Sequence, residues 1–208
     1  MTSLRADAER NRRLILEAAA EAFAERGLDA GMAEIARRAG VGNATVFRRF
    51  ATKEALFEAI LDDRLAELSR AAARAAEEED PFEALVVFLE AGAAMQARDR
   101  GLFQATEHHL LEHPEILEKH RSVVDAVEPL VTRAQEAGVL RDDVTTTDVL
   151  ALMKASVAGL PPLPGVREDG WRRFLSLFLD GLRPGAATPL PVPAVSFDDV
   201  AAALHDYA

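Results

Sequence analysis

Residues 31–53 read GMAEIARRAGVGNATVFRRFATK. Met32, Ile35, Ala36 and Ala39 recur at helical spacing, and Gly40 stands where such a helix would end. After the turn Ala39-Gly40-Val41-Gly42, a second short segment from Asn43 to Phe50 presents Val46, Phe47 and Phe50. A short helix, a Gly-containing turn and another short helix is the helix-turn-helix pattern. Ile35, Ala36, Val41 and Val46 suit a mini-core, and Ala39 and Gly40 permit close approach at the turn. That leaves Asn43, Ala44 and Thr45 at the open end of the second helix, with Phe47, Arg48 and Arg49 behind them. A helix N-terminus offers free N–H groups and a positive dipole to phosphate. Asn can pair bidentately with adenine, and the Ala44 and Thr45 methyls can touch a thymine methyl. Spacing alone also fits two small helices inside a larger bundle.

Charge divides along the chain in the same sense. The net charge is −11, yet residues 1–53 carry 10 Lys and Arg against 7 Asp and Glu, and the remainder carries 14 against 28. Arg37, Arg38, Arg48, Arg49 and Lys53 share a stretch with no acid. A basic block on an acidic body is a candidate phosphate-facing patch. By charge alone the reading to favour is a solvated face.

Working outward, helical periodicity continues nearly throughout, and the spacing predicts an all-α chain of about nine helices. Ile15, Ala18, Ala19, Ala22 and Phe23 form one buried stripe, closed by Gly27. Thr52 is an N-cap for a long helix bearing Leu56, Phe57, Ile60, Leu61, Leu65 and Leu68, which runs toward the acids 77–80. Asp80-Pro81 caps and opens the next, with Phe82, Leu85, Val86, Leu89 and Ala93 inward. Residues 101–111 read as a short helix stopped by His113-Pro114. The following helix carries Pro129, a kink signal, and closes at Gly138. Thr147-Asp148 starts another, to about Gly159, and 169–182 is the last substantial one. Prolines 184, 189, 191 and 193 then make a semi-rigid linker, and Ser196 caps a short terminal helix, frayed or docked.

The 208 residues suffice for a sizeable core, and the apolar content is too high for a disordered chain. Without Cys there is no disulfide, thiolate metal site or cysteine nucleophile. No apolar run has the length of a membrane span and no signal peptide opens the chain, so the expected location is cytoplasmic, with no membrane partner.

Residues 12–61 resemble the DNA-binding domain of the tetracycline-repressor (TetR) family of bacterial regulators. The resemblance is carried by Ile15-Leu16-Glu17-Ala18-Ala19, Phe23, Arg26-Gly27 and Ile35-Ala36-Arg37-Arg38-Ala39-Gly40-Val41. It continues through Thr45-Val46-Phe47-Arg48-Arg49-Phe50 and Lys53-Glu54-Ala55-Leu56. It implies a three-helix DNA-binding domain over 1–55 and a helical effector-binding and dimerisation domain over 56–183, beyond which lies the Pro-rich linker and short terminal helix of 184–208. It implies base contacts from Asn43, Ala44 and Phe47 and phosphate contacts from Thr45, Arg49 and Lys53, with Arg48 a further candidate. Phe47 departs from the family's usual Tyr and lacks its hydroxyl. Gly31-Met32 replaces a frequent capping Thr. The implied partners are a palindromic double-stranded operator, a small-molecule effector and a second copy of the chain; no cofactor is implied.

Two features of the acidic half bear on other readings. His108, His109 and His113 form a cluster in which 109 and 113 share a helical face, as a metal-binding protein or an all-α enzyme would need. Glu112, however, precedes the second His, whereas zinc-protease order puts Glu directly after the first. Phe88, Met95, Phe103, Met153 and Leu160 could line an effector cavity or simply pack the core. Val149, Met153, Trp171, Phe174 and Phe178 belong to the last two substantial helices, which form the dimer interface in the family. The expectation is a ligand-released transcriptional repressor, not an enzyme.

Overall fold

The computed structural model describes residues 2–99, 103, 115–159, 169–186 and 188–207. Among these residues there are nine α-helices and no strand. They are α1 (Thr2–Arg26), α2 (Met32–Arg38), α3 (Asn43–Arg49), α4 (Lys53–Ala75), α5 (Pro81–Arg98), α6 (Glu115–Glu136), α7 (Thr146–Ala158), α8 (Trp171–Gly181) and α9 (Phe197–Tyr207). The helix expected over 101–111 lies outside the described residues apart from Phe103, which is helical.

The chain forms two compact units. The first comprises the described residues of Met1–Arg64 and Asp99–Glu112, the second those of Leu65–Arg98 and His113–Ala208, so α4 contributes to both. In the first unit the stripe Ile15, Ala18, Ala19, Ala22 and Phe23 is buried, as its period requires, together with Ile35, Ala36, Val46, Leu56, Phe57 and Ile60. Phe23 meets Phe57 edge to face with ring centroids 6.1 Å apart. Full burial of side chains of this size stabilises by about 1.5–3 kcal/mol each.

The second unit packs α5 against α6, α7 and α8. Asp80 Oδ1 accepts from the N–H groups of Phe82 and Glu83 at 2.8 and 3.0 Å, the cap expected before Pro81. Those two bonds hold its carboxyl below the usual range. Arg133 on α6 donates to the carbonyls of Ala76 and Glu78, closing the end of α4 with a cation. Helix α6 is continuous through Pro129 and ends at Gly138 (φ +68°), where Val139 N–H reaches Ala134 O and Gly138 N–H reaches Gln135 O. Helix α7 begins earlier than expected. Thr145, not Thr147, is its N-cap, in a reciprocal box with Asp148.

The tail is fastened at two places. Arg141 pairs with Asp143 and donates to Thr188 O at 2.7 Å, while Leu190 N–H reaches Asp143. Further on, Arg121 on α6 pairs with Asp198 at 2.9 Å and covers the Phe197 ring at 4.7 Å. Ser196 and Asp199 cap α9 reciprocally. The alternative of a docked tail is the one adopted.

Candidate nucleic-acid interface

The turn between α2 and α3 is fixed by its backbone. Gly40 takes φ +67°, Val41 N–H donates to Ala36 O at 3.0 Å and Gly40 N–H to Arg37 O at 3.3 Å. This paired closure ends α2 and needs a residue without Cβ at position 40. Gly42 then caps α3 through its carbonyl alone, with no side-chain bond to the first N–H groups of the helix.

Helix α3 has two distinct sides. Val46 is fully buried and Phe50, one turn on, is buried at the helix end. Asn43, Ala44, Phe47, Arg48 and Arg49 are exposed, and Thr45 and Lys53 are half-buried. Phe47 is 51% exposed, a large apolar ring held outward among polar and basic neighbours. Arg48 folds back over the helix, its Nε donating to Ala44 O at 3.0 Å and its Nη2 lying 3.4 Å from Thr45 Oγ1. Thr52 Oγ1 accepts from Ala55 N–H at 3.1 Å, so the capped start of α4 follows directly behind the α3 face and carries Lys53.

One member of the basic block is otherwise engaged. Arg38 grips Glu25 with two bonds of 2.9 and 2.6 Å and Glu34 at 2.7 Å, while Arg26 reaches Glu34 at 2.9 Å. This network ties α2 to α1. The Arg38 guanidinium holds both carboxyl groups below their usual range. The phosphate-facing candidates are therefore those on α3 and the start of α4, together with the exposed Arg37. At Gly31 the N-cap of α2 has no side-chain bond, as the missing Thr implies.

In the second unit, Phe88, Met95 and Met153 are buried together in the packed α5–α7 region. Phe103 belongs to the first unit, and Leu160 lies outside the described residues. Val149, Met153 and Trp171 are buried within their own chain. Phe174 and Phe178 are partly open, and Leu177, which sequence reasoning passed over, is 57% exposed beside them. His108, His109 and His113 lie outside the described residues. No group of three or more potential metal ligands occurs among the residues that are described, and none of the described helices is long and apolar enough to cross a membrane.

A two-helix reading head with a basic, one-sided exposed face, on an all-α body, defines a helix-turn-helix regulator. Comparison with known proteins agrees. Residues 15–60 match the family described as bacterial regulatory proteins, tetR family, and residues 80–184 match the SbtR-like transcriptional regulator C-terminal domain. A TetR transcriptional regulator from Streptomyces coelicolor is 33% identical with a TM-score of 0.65, over 84% of this chain and 99% of that one. A TetR regulator from Mycobacterium vanbaalenii is 35% identical with a TM-score of 0.63, over 86% and 99%. PfmR of Thermus thermophilus is 26% identical with a TM-score of 0.64, over 81% and 98%. The chain belongs to the TetR family of transcriptional regulators. It is accordingly a DNA-binding regulator of transcription and not an enzyme.

Proposed function

We propose that this protein is a repressor that binds a near-palindromic operator as a homodimer and leaves it when a small molecule binds. The observation that carries the reading is the α3 face, with Val46 and Phe50 inward and Asn43, Ala44, Phe47, Arg48 and Arg49 outward. Asn43, Ala44 and Phe47 read base edges, and Thr45, Arg48, Arg49 and Lys53 hold phosphates. Residues 1–55 serve as the DNA-binding domain, 56–183 as the effector-binding and dimerisation domain and 184–208 as an appended arm.

One reading helix covers only a few base pairs, so useful specificity needs a second copy reading the next half-site. Phe174, Leu177 and Phe178 on α8 supply apolar surface for that second copy. An effector acts by preferring the conformer that does not fit DNA; equal affinity for both conformers shifts nothing. The test is a mobility-shift assay on the DNA upstream of the protein's own gene. Specific retardation there by the wild-type protein, with loss of selectivity in Asn43→Ala, is the expected result. Equal binding to unrelated duplexes by both proteins contradicts the reading.

A further inference from the structure

The basic residues of α3 and the start of α4 are not equivalent, because the helix places them on different stripes. Val46 and Phe50 are buried and define the inward side. At about 100° per residue, Asn43 and Phe47 lie one turn apart on one flank, and Thr45 and Arg49 on the other. Ala44 and Arg48 form the stripe between the flanks. Position 48 stands diametrically opposite the mean direction of Val46 and Phe50, and both Ala44 and Arg48 are exposed. A helix lying in the major groove presents its outermost stripe and its N-terminal end to the base edges, and a flank to the phosphate wall. Charge groups Arg48 with Arg49 and Lys53, but position separates it. Arg49 belongs to a flank and Lys53 opens α4, whereas Arg48 belongs to the front.

The side-chain geometry carries Arg48 from the last turn of α3 back to its reading end. Side chains on a helix lean toward its N-terminus. Arg48 takes this direction fully: its Nε donates to Ala44 O at 3.0 Å, and its Nη2 lies 3.4 Å from Thr45 Oγ1. Ala44 carries only a methyl, so no larger side chain crowds the stripe along which the guanidinium lies. With Nε engaged by the helix itself, the donors left for a ligand are those of Nη1 and Nη2. Arg38 shows the contrasting case in the same basic block, its fork taken up by Glu25 and Glu34.

We propose that Arg48 is a specificity-determining residue that reads one guanine in each operator half-site, its guanidinium donating to O6 and N7 in the major groove. The guanine edge offers two acceptors side by side, and Arg is the side chain that meets them most often. A guanidinium already laid along its own helix also loses less freedom on binding. The assignment rests on α3 as the DNA-reading helix, and it moves Arg48 from the phosphate-holding group to the base-reading one.

The test uses the full-length protein and duplexes that it enriches from a random library. In these duplexes 7-deazaguanine, which lacks the N7 acceptor, replaces each guanine in turn. One guanine in each half-site should be sensitive, its replacement weakening wild-type binding about tenfold. Arg48→Ala should keep the wild-type Tm, accept any base pair at that position and respond to 7-deazaguanine there no longer. Three results overturn the proposal: no guanine sensitive in the wild type, the same sensitivity retained in Arg48→Ala, or a uniform loss across all duplexes with the salt slope reduced by about one. A wild-type protein that enriches no sequence contradicts the DNA-reading function itself, whereas a clear palindrome with any of those three results contradicts the Arg48 assignment alone.

Discussion

Arg38 holds Glu25 by two parallel bonds of 2.9 and 2.6 Å, a fork-to-fork contact between residues thirteen apart in sequence that joins α2 to α1. It removes Arg38 from the DNA-facing charge and makes it part of the frame that sets α2. Bidentate geometry of this kind needs guanidinium and is not reproduced by Lys. Arg38→Gln is expected to lower the Tm and weaken operator binding while leaving the salt slope unchanged. Arg49→Ala, by contrast, should leave the Tm alone and reduce the slope of log K against log salt by about one. Binding titrations at several salt concentrations, with melting curves alongside, separate the two. Equal loss of slope in both variants would contradict the assignment.

Asn43 is exposed at the open end of α3, where a side-chain amide can pair with an adenine edge. Asn43→Ala should relax discrimination at one operator position by ~1–3 kcal/mol and leave phosphate-driven binding intact. Competition between operator duplexes differing at single positions measures it. A uniform loss across all sequences would move Asn43 to the backbone-contacting group.

Gly31 caps α2 with extended backbone (φ −82°, ψ 142°), and a Cβ placed there meets nothing within 4 Å. Gly31→Thr therefore adds a capping hydroxyl without a clash and restricts the unfolded chain. The expected gain is between a few tenths and ~1 kcal/mol, read by denaturant melts. Destabilisation would show that the α2 start differs from the geometry described.

Asp143 is held at a pKa of about 2 by the Arg141 guanidinium, helped by the Leu190 N–H. Its folded value lies below the usual 3.8, so its contribution is complete above that value and is lost as pH falls through about 2. Asp143→Asn should lower the Tm at pH 7, and the gap to wild type should close as pH falls from 4 toward 2. It should also expose the 184–196 linker to limited proteolysis at neutral pH, since Arg141 and Asp143 fasten that segment. A gap that is constant with pH would contradict the pairing.

Much of this architecture is legible in local pattern. The stripe from Ile15 to Phe23, the caps at Thr52 and Asp80 and the glycines at 27, 40 and 138 each act through neighbours within a turn or two, so the sequence carries them directly. What escapes it depends on distant partners. Thr145, Thr146 and Thr147 are chemically equal caps, and packing selects the first. The engagement of Arg38 by Glu25 cannot be read from a count of basic residues. Val149, Met153 and Trp171 have the composition of an interface, but which side of α7 and α8 faces α5 is a tertiary fact, and they lie inside.

Leu177, exposed between the partly open Phe174 and Phe178, is the residue of α8 best placed to test self-association. Leu177→Glu changes little inside the chain, so a folded monomer with much weaker operator binding is expected. Sedimentation at micromolar concentration measures it. An unchanged dimer would move the interface elsewhere.

The most direct measurement of the central claim is selection of binding sequences from a random duplex library by the purified protein. A reading head on α3, used twice by a symmetric dimer, should enrich a near-palindrome whose half-sites are spaced by about one helical turn, 10–10.5 base pairs, or a multiple of it. Asn43→Ala should enrich the same palindrome with one degenerate position in each half. Enrichment of no sequence, or of a single half-site with no symmetric partner, would contradict it.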